Sequence, residues 1–181
     1  MKTTPEEALR VRLASVPLGR EGWSQFEEIA CEVLTHLFVP PLERPRRQAR
    51  TYSGIDRRDA VFPNRNRGNE NSWGQLQEEV GARLVLVEFK NYDGQEIGKD
   101  EVNQTRNYLT EPMGSLALIV SSKKPSSAAY VKRNSIWSED RKVILFITVD
   151  NLREMLFMKE RGEDPSDLVV DLLEDFYLSW E

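Results

Sequence analysis

Residues 83–90 read Arg-Leu-Val-Leu-Val-Glu-Phe-Lys, the clearest β-strand pattern in the chain. The run is short, rich in Val and Leu, and followed by a polar loop at 91–94, as expected of a buried strand. Because side chains alternate across a strand, Glu88 and Lys90 share one face and Phe89 points to the other. A carboxylate and an ammonium group at the end of an apolar strand are costly unless they are paired or functional.

Helical and strand patterns alternate on both sides of this strand. Further strands are predicted at 115–121 and 143–149, and the segment 51–62 is predicted to be extended. Helices are predicted at 23–38, within 71–82, at 99–109, at 126–137, at 150–159 with Asp150 as the cap, and at 165–180 with Asp164 as the cap. This order predicts an α/β domain with a central mixed sheet and additional C-terminal helices.

The length and composition fit one globular domain. The chain has 181 residues, of which 39% are hydrophobic and 30% charged, and it contains no repeat. We therefore expect a single domain over 1–181, with a core at about 23–149 and a helical segment at 150–181.

Several classes of protein are excluded by counting. One cysteine, Cys31, and one histidine, His36, exclude an internal disulfide, a CxxC zinc site and any mechanism that needs two imidazoles. The sequence has no GxxxxGK[ST] or GxGxxG nucleotide loop. No apolar run approaches a membrane span and no signal peptide is recognisable, so a cytoplasmic location without membrane contact is expected.

Charge is segregated along the chain although the net charge is −5. Residues 44–67 carry eight arginines and two acids, whereas residues 150–181 carry ten acids and three cations. Such asymmetry is typical of proteins that contact nucleic acid on one side, and it also arises on ordinary solvated surfaces.

A second acid enters an apolar run at Asp59, as Glu88 ends one. Carboxylates on neighbouring strands, with a backbone carbonyl nearby, form an all-oxygen site of the kind that suits Mg²⁺. Such a metal polarises a phosphodiester and lowers the pKa of an attacking water, while Lys90 would position that water and neutralise the phosphate. This chemistry needs neither histidine nor cysteine.

Asp59 followed by Glu88-Phe89-Lys90 on a hydrophobic strand resembles the PD-(D/E)xK motif of restriction-endonuclease-like nucleases, in particular Mrr-like members. The upstream helix carries a Phe26-Glu27 pair and the helix after the motif carries Gln104, as in that family. The likeness covers residues 23–120. Arg58 stands where the motif name has Pro.

The resemblance implies a three-layer α/β/α sandwich with an αβββαβ core and a metal-dependent endonuclease. Its metal is Mg²⁺, for which Mn²⁺ would substitute, and its ligands are Asp59 and Glu88. Lys90 is the implied catalytic lysine, and Glu27 and Gln104 are the implied supporting residues. DNA is the implied substrate and restriction or antiviral defence the implied setting, with Arg57 and Arg58 as the first candidates for phosphate contacts.

Several alternatives stay open. Asp56 competes with Asp59 as the first acid, and Ser24-x-x-Glu27 also fits a helix capping box. Gln104 and Tyr108 share either a site or an ordinary polar helix face. The chain could be an RNA-directed nuclease or a catalytically silent binding module of the same fold. A homodimer or a partner protein is also compatible with the acidic, amphipathic C-terminal part.

Overall fold

The computed structural model describes residues 3–50 and 57–180. Within them the strands are β1 (Arg46–Arg50), β2 (Arg57–Pro63), β3 (Leu84–Lys90), β4 (Leu116–Ser121) and β5 (Val143–Thr148). The α-helices there are α1 (Pro5–Ala14), α2 (Trp23–Phe38), α3 (Ser72–Val80), α4 (Lys99–Tyr108), α5 (Ser127–Asp140), α6 (Val149–Glu160) and α7 (Asp167–Leu178). None of these helices has the length and apolar character needed to cross a membrane.

The five strands form one mixed sheet in the order β1-β2-β3-β4-β5, which confirms the predicted α/β class. Strands β1, β2 and β3 pair antiparallel, and β3, β4 and β5 pair parallel. Lys90, Ser121 and Thr148 therefore lie side by side where the parallel strands end. We call this side of the sheet the carboxyl edge. Because β2 runs in the opposite direction, its first residue, Arg57, lies at the same edge.

Both faces of the sheet are covered by helices. Val85, Val87 and Phe89 of β3 belong to one buried cluster, which includes residues of α1, α2, α3, α6 and α7. Leu86 belongs to the other cluster, which includes residues of α4 and α5. The alternation predicted for residues 83–90 is thus confirmed, and both sides of the strand are packed.

The N-terminal part of the sheet and its preceding helix differ from the expectation. Helix α1 was not predicted because only two of its residues, Leu9 and Leu13, are buried, so its apolar spacing is weak. Strand β1 was not predicted because its residues are mostly exposed and polar. Only residues 57–62 of the segment predicted to be extended lie in β2, and residues 51–56 fall outside the described chain.

Two predicted helix caps were wrong. Thr148, not Asp150, caps α6, and its side chain and that of Asn151 form a reciprocal capping box. The last helix begins at Asp167 rather than at Pro165. Asp164 instead accepts a hydrogen bond from the backbone N–H of Ser166 at 2.9 Å, in the turn before the helix. Ser166 is the N-cap residue of α7, and its side chain makes no capping hydrogen bond.

Candidate active site

Asp59 and Glu88 lie together where β2 and β3 separate at the carboxyl edge. The pairing of the two strands ends with Ala60 opposite Val87. Beyond it, the backbone N–H of Phe89 donates to Oδ2 of Asp59 at 2.9 Å, and that of Asp59 points to Oε1 of Glu88 at 3.4 Å. Side chains thus replace backbone groups as hydrogen-bond acceptors at this point, and they hold two carboxylates in the gap between the strands.

Burial makes the charged forms of both acids unfavourable. Loss of hydration, followed by the charge of Asp59, raises the pKa of Glu88 from 4.5 to about 8. Burial is also the main cause that raises the pKa of Asp59. The negative charge of Glu27 adds to this effect, whereas the hydrogen bond from Phe89 and the charge of Lys90 oppose it. Binding of a cation between the two carboxylates would be favourable, because its positive charge would offset their mutual repulsion.

Lys90 is held between Glu88 and helix α4. Its Nζ lies 3.7 Å from Oε2 of Glu88 and donates to Oε1 of Gln104 at 3.3 Å. Gln104 in turn donates from Nε2 to the hydroxyl of Tyr108 at 2.9 Å. The structure therefore brings Gln104 to the predicted lysine, and Tyr108 orients the amide of Gln104. Lys90 keeps partial access to solvent, with 16% of its side chain exposed.

Glu27 turns toward the site rather than capping its helix. Gly22 is the N-cap residue of α2 and supplies no side-chain cap, so the capping box considered as an alternative for Ser24 and Glu27 is not formed. Glu27 is 5% exposed, and its Oε1 accepts from Nε2 of Gln48 at 3.0 Å. The same oxygen lies 3.4 Å from a guanidinium nitrogen of Arg47. The capping role considered for Glu27 is therefore not observed, and its role in the site stays a prediction.

The two candidate phosphate-binding arginines are placed differently. Arg57 is exposed at the carboxyl edge. Arg58 is 6% exposed, and its Nε and a terminal nitrogen donate to the backbone carbonyl of Tyr108 at 3.2 and 3.1 Å. The expectation that Arg58 contacts a phosphate does not agree with this burial, because its guanidinium already ties β2 to the end of α4.

Arg47 and Gln48 contact Glu27, and the sequence analysis did not identify them as candidate site residues. Both lie on β1, the outermost strand, where an exposed and arginine-rich sequence hides the strand pattern. The arginine-rich character of 44–67 was the available signal. Arg44, Arg46, Arg47, Arg50, Arg57, Arg65 and Arg67 are indeed exposed.

The donor set suits a hard divalent cation. Asp59 and Glu88 offer carboxylate oxygens, and Mg²⁺ is commonly bound through one or two carboxylates while it keeps several waters. In the described part of the chain, no three His, Cys, Asp or Glu side chains are grouped tightly enough to hold a metal alone. A cation here would thus depend on two carboxylates with water or substrate oxygens. Asp56, the alternative first acid, falls outside the described residues.

Comparisons with known proteins give two similarities. No family model matches the chain. The "Putative transposon gamma-delta 80.3 kDa protein" of Escherichia coli (strain K12) is 29% identical over 112 residues, which are 62% of this chain. The match covers only 15% of that larger protein. The MspJI restriction endonuclease, solved in complex with a 27-mer oligonucleotide, overlaps with 94% of this chain and 36% of its own, at 16% identity and a TM-score of 0.48.

Proposed function

We propose that this chain is a metal-dependent endonuclease of the PD-(D/E)xK type that hydrolyses phosphodiester bonds in DNA. The observation that carries the proposal is the grouping of Asp59, Glu88 and Lys90 at the point where β2 and β3 part. The helices on both faces of the mixed sheet are compatible with the three-layer sandwich of the restriction-endonuclease-like fold. Within it, α2, the first three strands, α4 and β4 would supply the αβββαβ core.

Asp59, Glu88 and Lys90 would have different roles in the reaction. Asp59 and Glu88 would hold Mg²⁺ or Mn²⁺, which when bound supplies charge stabilisation at the phosphate and a more acidic water. Among the described residues, Lys90 is the cation that forms an ion pair with Glu88. It would position the attacking water and stabilise the negative charge that develops on the phosphate oxygens. Gln104 fixes its ammonium group, so that the lysine is oriented before substrate binds.

The exposed arginines support nucleic acid as the substrate. Arg46, Arg47 and Arg50 lie on β1, and Arg57 lies on β2, the strand that carries Asp59, in a chain whose net charge is negative. Cationic side chains that neutralise phosphates give strong, salt-dependent affinity without a sequence preference. The choice of DNA rather than RNA as the substrate rests on the resemblance to the PD-(D/E)xK motif. The similarity to a protein described as a putative transposon protein is compatible with a DNA substrate.

The experiment that tests this function offers four substrates to the purified chain with Mg²⁺ or Mn²⁺. These are supercoiled DNA, linear duplex DNA, single-stranded DNA and RNA. We expect metal-dependent cutting of DNA, absent in EDTA. Cutting of RNA alone would replace the DNA assignment by an RNA-directed nuclease.

A calorimetric titration with Mn²⁺ distinguishes a nuclease from a catalytically silent binding module of the same fold. A nuclease should bind the ion, and Asp59→Asn with Glu88→Gln should abolish that binding. Absence of both cutting and Mn²⁺ binding would favour a catalytically silent module. The proposed setting in restriction or antiviral defence rests on the resemblance alone, and phage plating on cells that carry the wild-type or Lys90→Ala chain tests it.

A further inference from the structure

Two adjacent residues of β1 contact one oxygen atom. Arg47 and Gln48 both reach Oε1 of Glu27, at 3.4 and 3.0 Å. Neighbouring side chains of a regular strand point to opposite faces and cannot meet at one atom in this way. The alternation of side chains must therefore be interrupted at this position.

The backbone shows the interruption at Gln48. Its φ is +53°, a left-handed value that residues with a side chain rarely adopt. The pairing of β1 with β2 joins Arg47 to Ala60 and Ala49 to Arg58, so Gln48 lies opposite Asp59 between these pairs. An unfavourable backbone conformation persists where surrounding contacts enforce it, and such positions cluster at functional sites.

The contacts orient the carboxylate of Glu27. Both donors engage Oε1, and no donor among the described residues contacts Oε2. The Glu27 side chain is nearly fully buried, so few other orientations are open to it. One oxygen is thus held by β1, and the carboxylate lies near enough to Asp59 for its charge to raise the pKa of that acid.

We propose that Gln48 is a positioning residue: its left-handed backbone conformation directs its amide to Oε1 of Glu27 and thereby orients Glu27 toward the metal and water site at Asp59. The inference deepens the proposed function and rests on it for the activity readout alone. Residues that orient groups around a metal site change affinity or activity by about 10-fold to 100-fold when they are removed.

The decisive variant is Gln48→Gly. Glycine adopts a positive φ without steric cost, so this variant should keep or raise the melting temperature while it removes the amide. We expect a fall of about 10-fold in kcat, a smaller change in KM, and a fall of about 10-fold in Mn²⁺ affinity measured without substrate. Gln48→Asn, which tolerates the same backbone but has a shorter side chain, should behave alike.

Arg141→Gly is the matched control. Arg141 is the other non-glycine residue of positive φ in the described chain, at +57°, and it ends α5 away from the site. Its replacement by glycine should relieve the backbone in the same way but leave kcat and Mn²⁺ affinity unchanged. Wild-type kcat and Mn²⁺ affinity in both Gln48 variants would overturn the proposal.

A double-mutant cycle with Glu27→Ala tests whether Gln48 acts through Glu27. If it does, Gln48→Gly lowers Mn²⁺ affinity in the wild-type background and has no further effect once Glu27 is absent. Equal losses in the two backgrounds would contradict the proposal. If the wild-type chain cuts no nucleic acid, the proposed function fails, yet the Mn²⁺ cycle still decides the role of Gln48.

Discussion

The backbone N–H of Phe89 donates a hydrogen bond of 2.9 Å to Oδ2 of Asp59, just beyond Ala60 and Val87, the last paired residues of β2 and β3. This contact anchors the first acid to the strand that carries the second acid, Glu88. Because Lys90 follows on the same strand, one break in the sheet sets the relative positions of all three groups. The candidate site is thus built mainly from backbone geometry at a strand end.

Glu88→Gln should stabilise the metal-free chain at alkaline pH. Folding raises the pKa of Glu88 from 4.5 to about 8, so between these values the folded chain holds a proton that the unfolded chain has released. The free energy of unfolding of the wild type therefore falls as pH rises through this window. In EDTA we expect the variant to match the wild type near pH 5 and to exceed it at pH 8, by about 3–4 kcal/mol.

Urea denaturation at the two pH values measures this difference. Glu28→Gln, a replacement of an exposed acid on the outer side of α2, serves as the control and should show no such pH-dependent gain. A constant difference between Glu88→Gln and the wild type across the pH range would contradict the raised pKa.

Mn²⁺ binding should become tighter as pH rises from 6 to 8. The ion and the proton compete for the same carboxyl groups, and burial keeps the proton on Glu88 and Asp59 to a higher pH than usual. Calorimetry in buffers of different ionisation enthalpy should show proton release on binding at pH 7. Glu88→Gln should release fewer protons and bind more weakly. Binding that is independent of pH would argue against a site at these carboxylates.

Arg57→Ala and Arg58→Ala should affect different properties: the first should weaken DNA binding, and the second should lower the stability of the fold. Arg57 is exposed, so its replacement should weaken DNA binding and lower the slope of log affinity against log salt by about 0.9 for each phosphate that the arginine neutralises. Arg58→Ala removes two hydrogen bonds to the Tyr108 carbonyl inside the protein and should reduce stability by about 1–3 kcal/mol.

Fluorescence anisotropy with labelled duplex DNA at several salt concentrations, together with thermal melting, separates these two effects. The same salt slope for Arg57→Ala and the wild type would remove Arg57 from the interface. A fully stable Arg58→Ala chain with weakened DNA binding would restore Arg58 as a phosphate contact and contradict the role that its burial indicates.

Strand β3 and its acid–lysine pair were predictable because both depend on local pattern. A short apolar run with alternating faces determines the strand, and the polar residues Glu88 and Lys90 mark its end. The position of Asp59 beside an apolar run predicts a second strand, and two strand ends that meet at one edge bring the acids together. The alternation of side chains along a strand is enough to predict these features, together with the rule that a buried charge is costly unless it is paired or functional.

Other parts of the site depend on tertiary structure and could not be predicted. Glu27 fits both a capping box and a site role by spacing, and only the position of Gly22 at the helix start decides between them. Arg57 and Arg58 are equivalent in sequence, yet one is exposed and one is buried against α4. The left-handed backbone of Gln48 leaves no sequence signal, since that conformation is enforced by its neighbours in space.

Replacement of Lys90 tests whether this lysine acts beside Asp59 and Glu88 in metal-dependent hydrolysis of DNA. Cleavage of supercoiled plasmid with Mg²⁺ is compared between the wild type, Lys90→Ala and the exposed-lysine control Lys99→Ala, purified in parallel. We predict that Lys99→Ala matches the wild type and that Lys90→Ala loses about 10²-fold to 10³-fold in rate while it remains folded. Cleavage by Lys90→Ala at the wild-type rate would exclude Lys90 as the catalytic lysine.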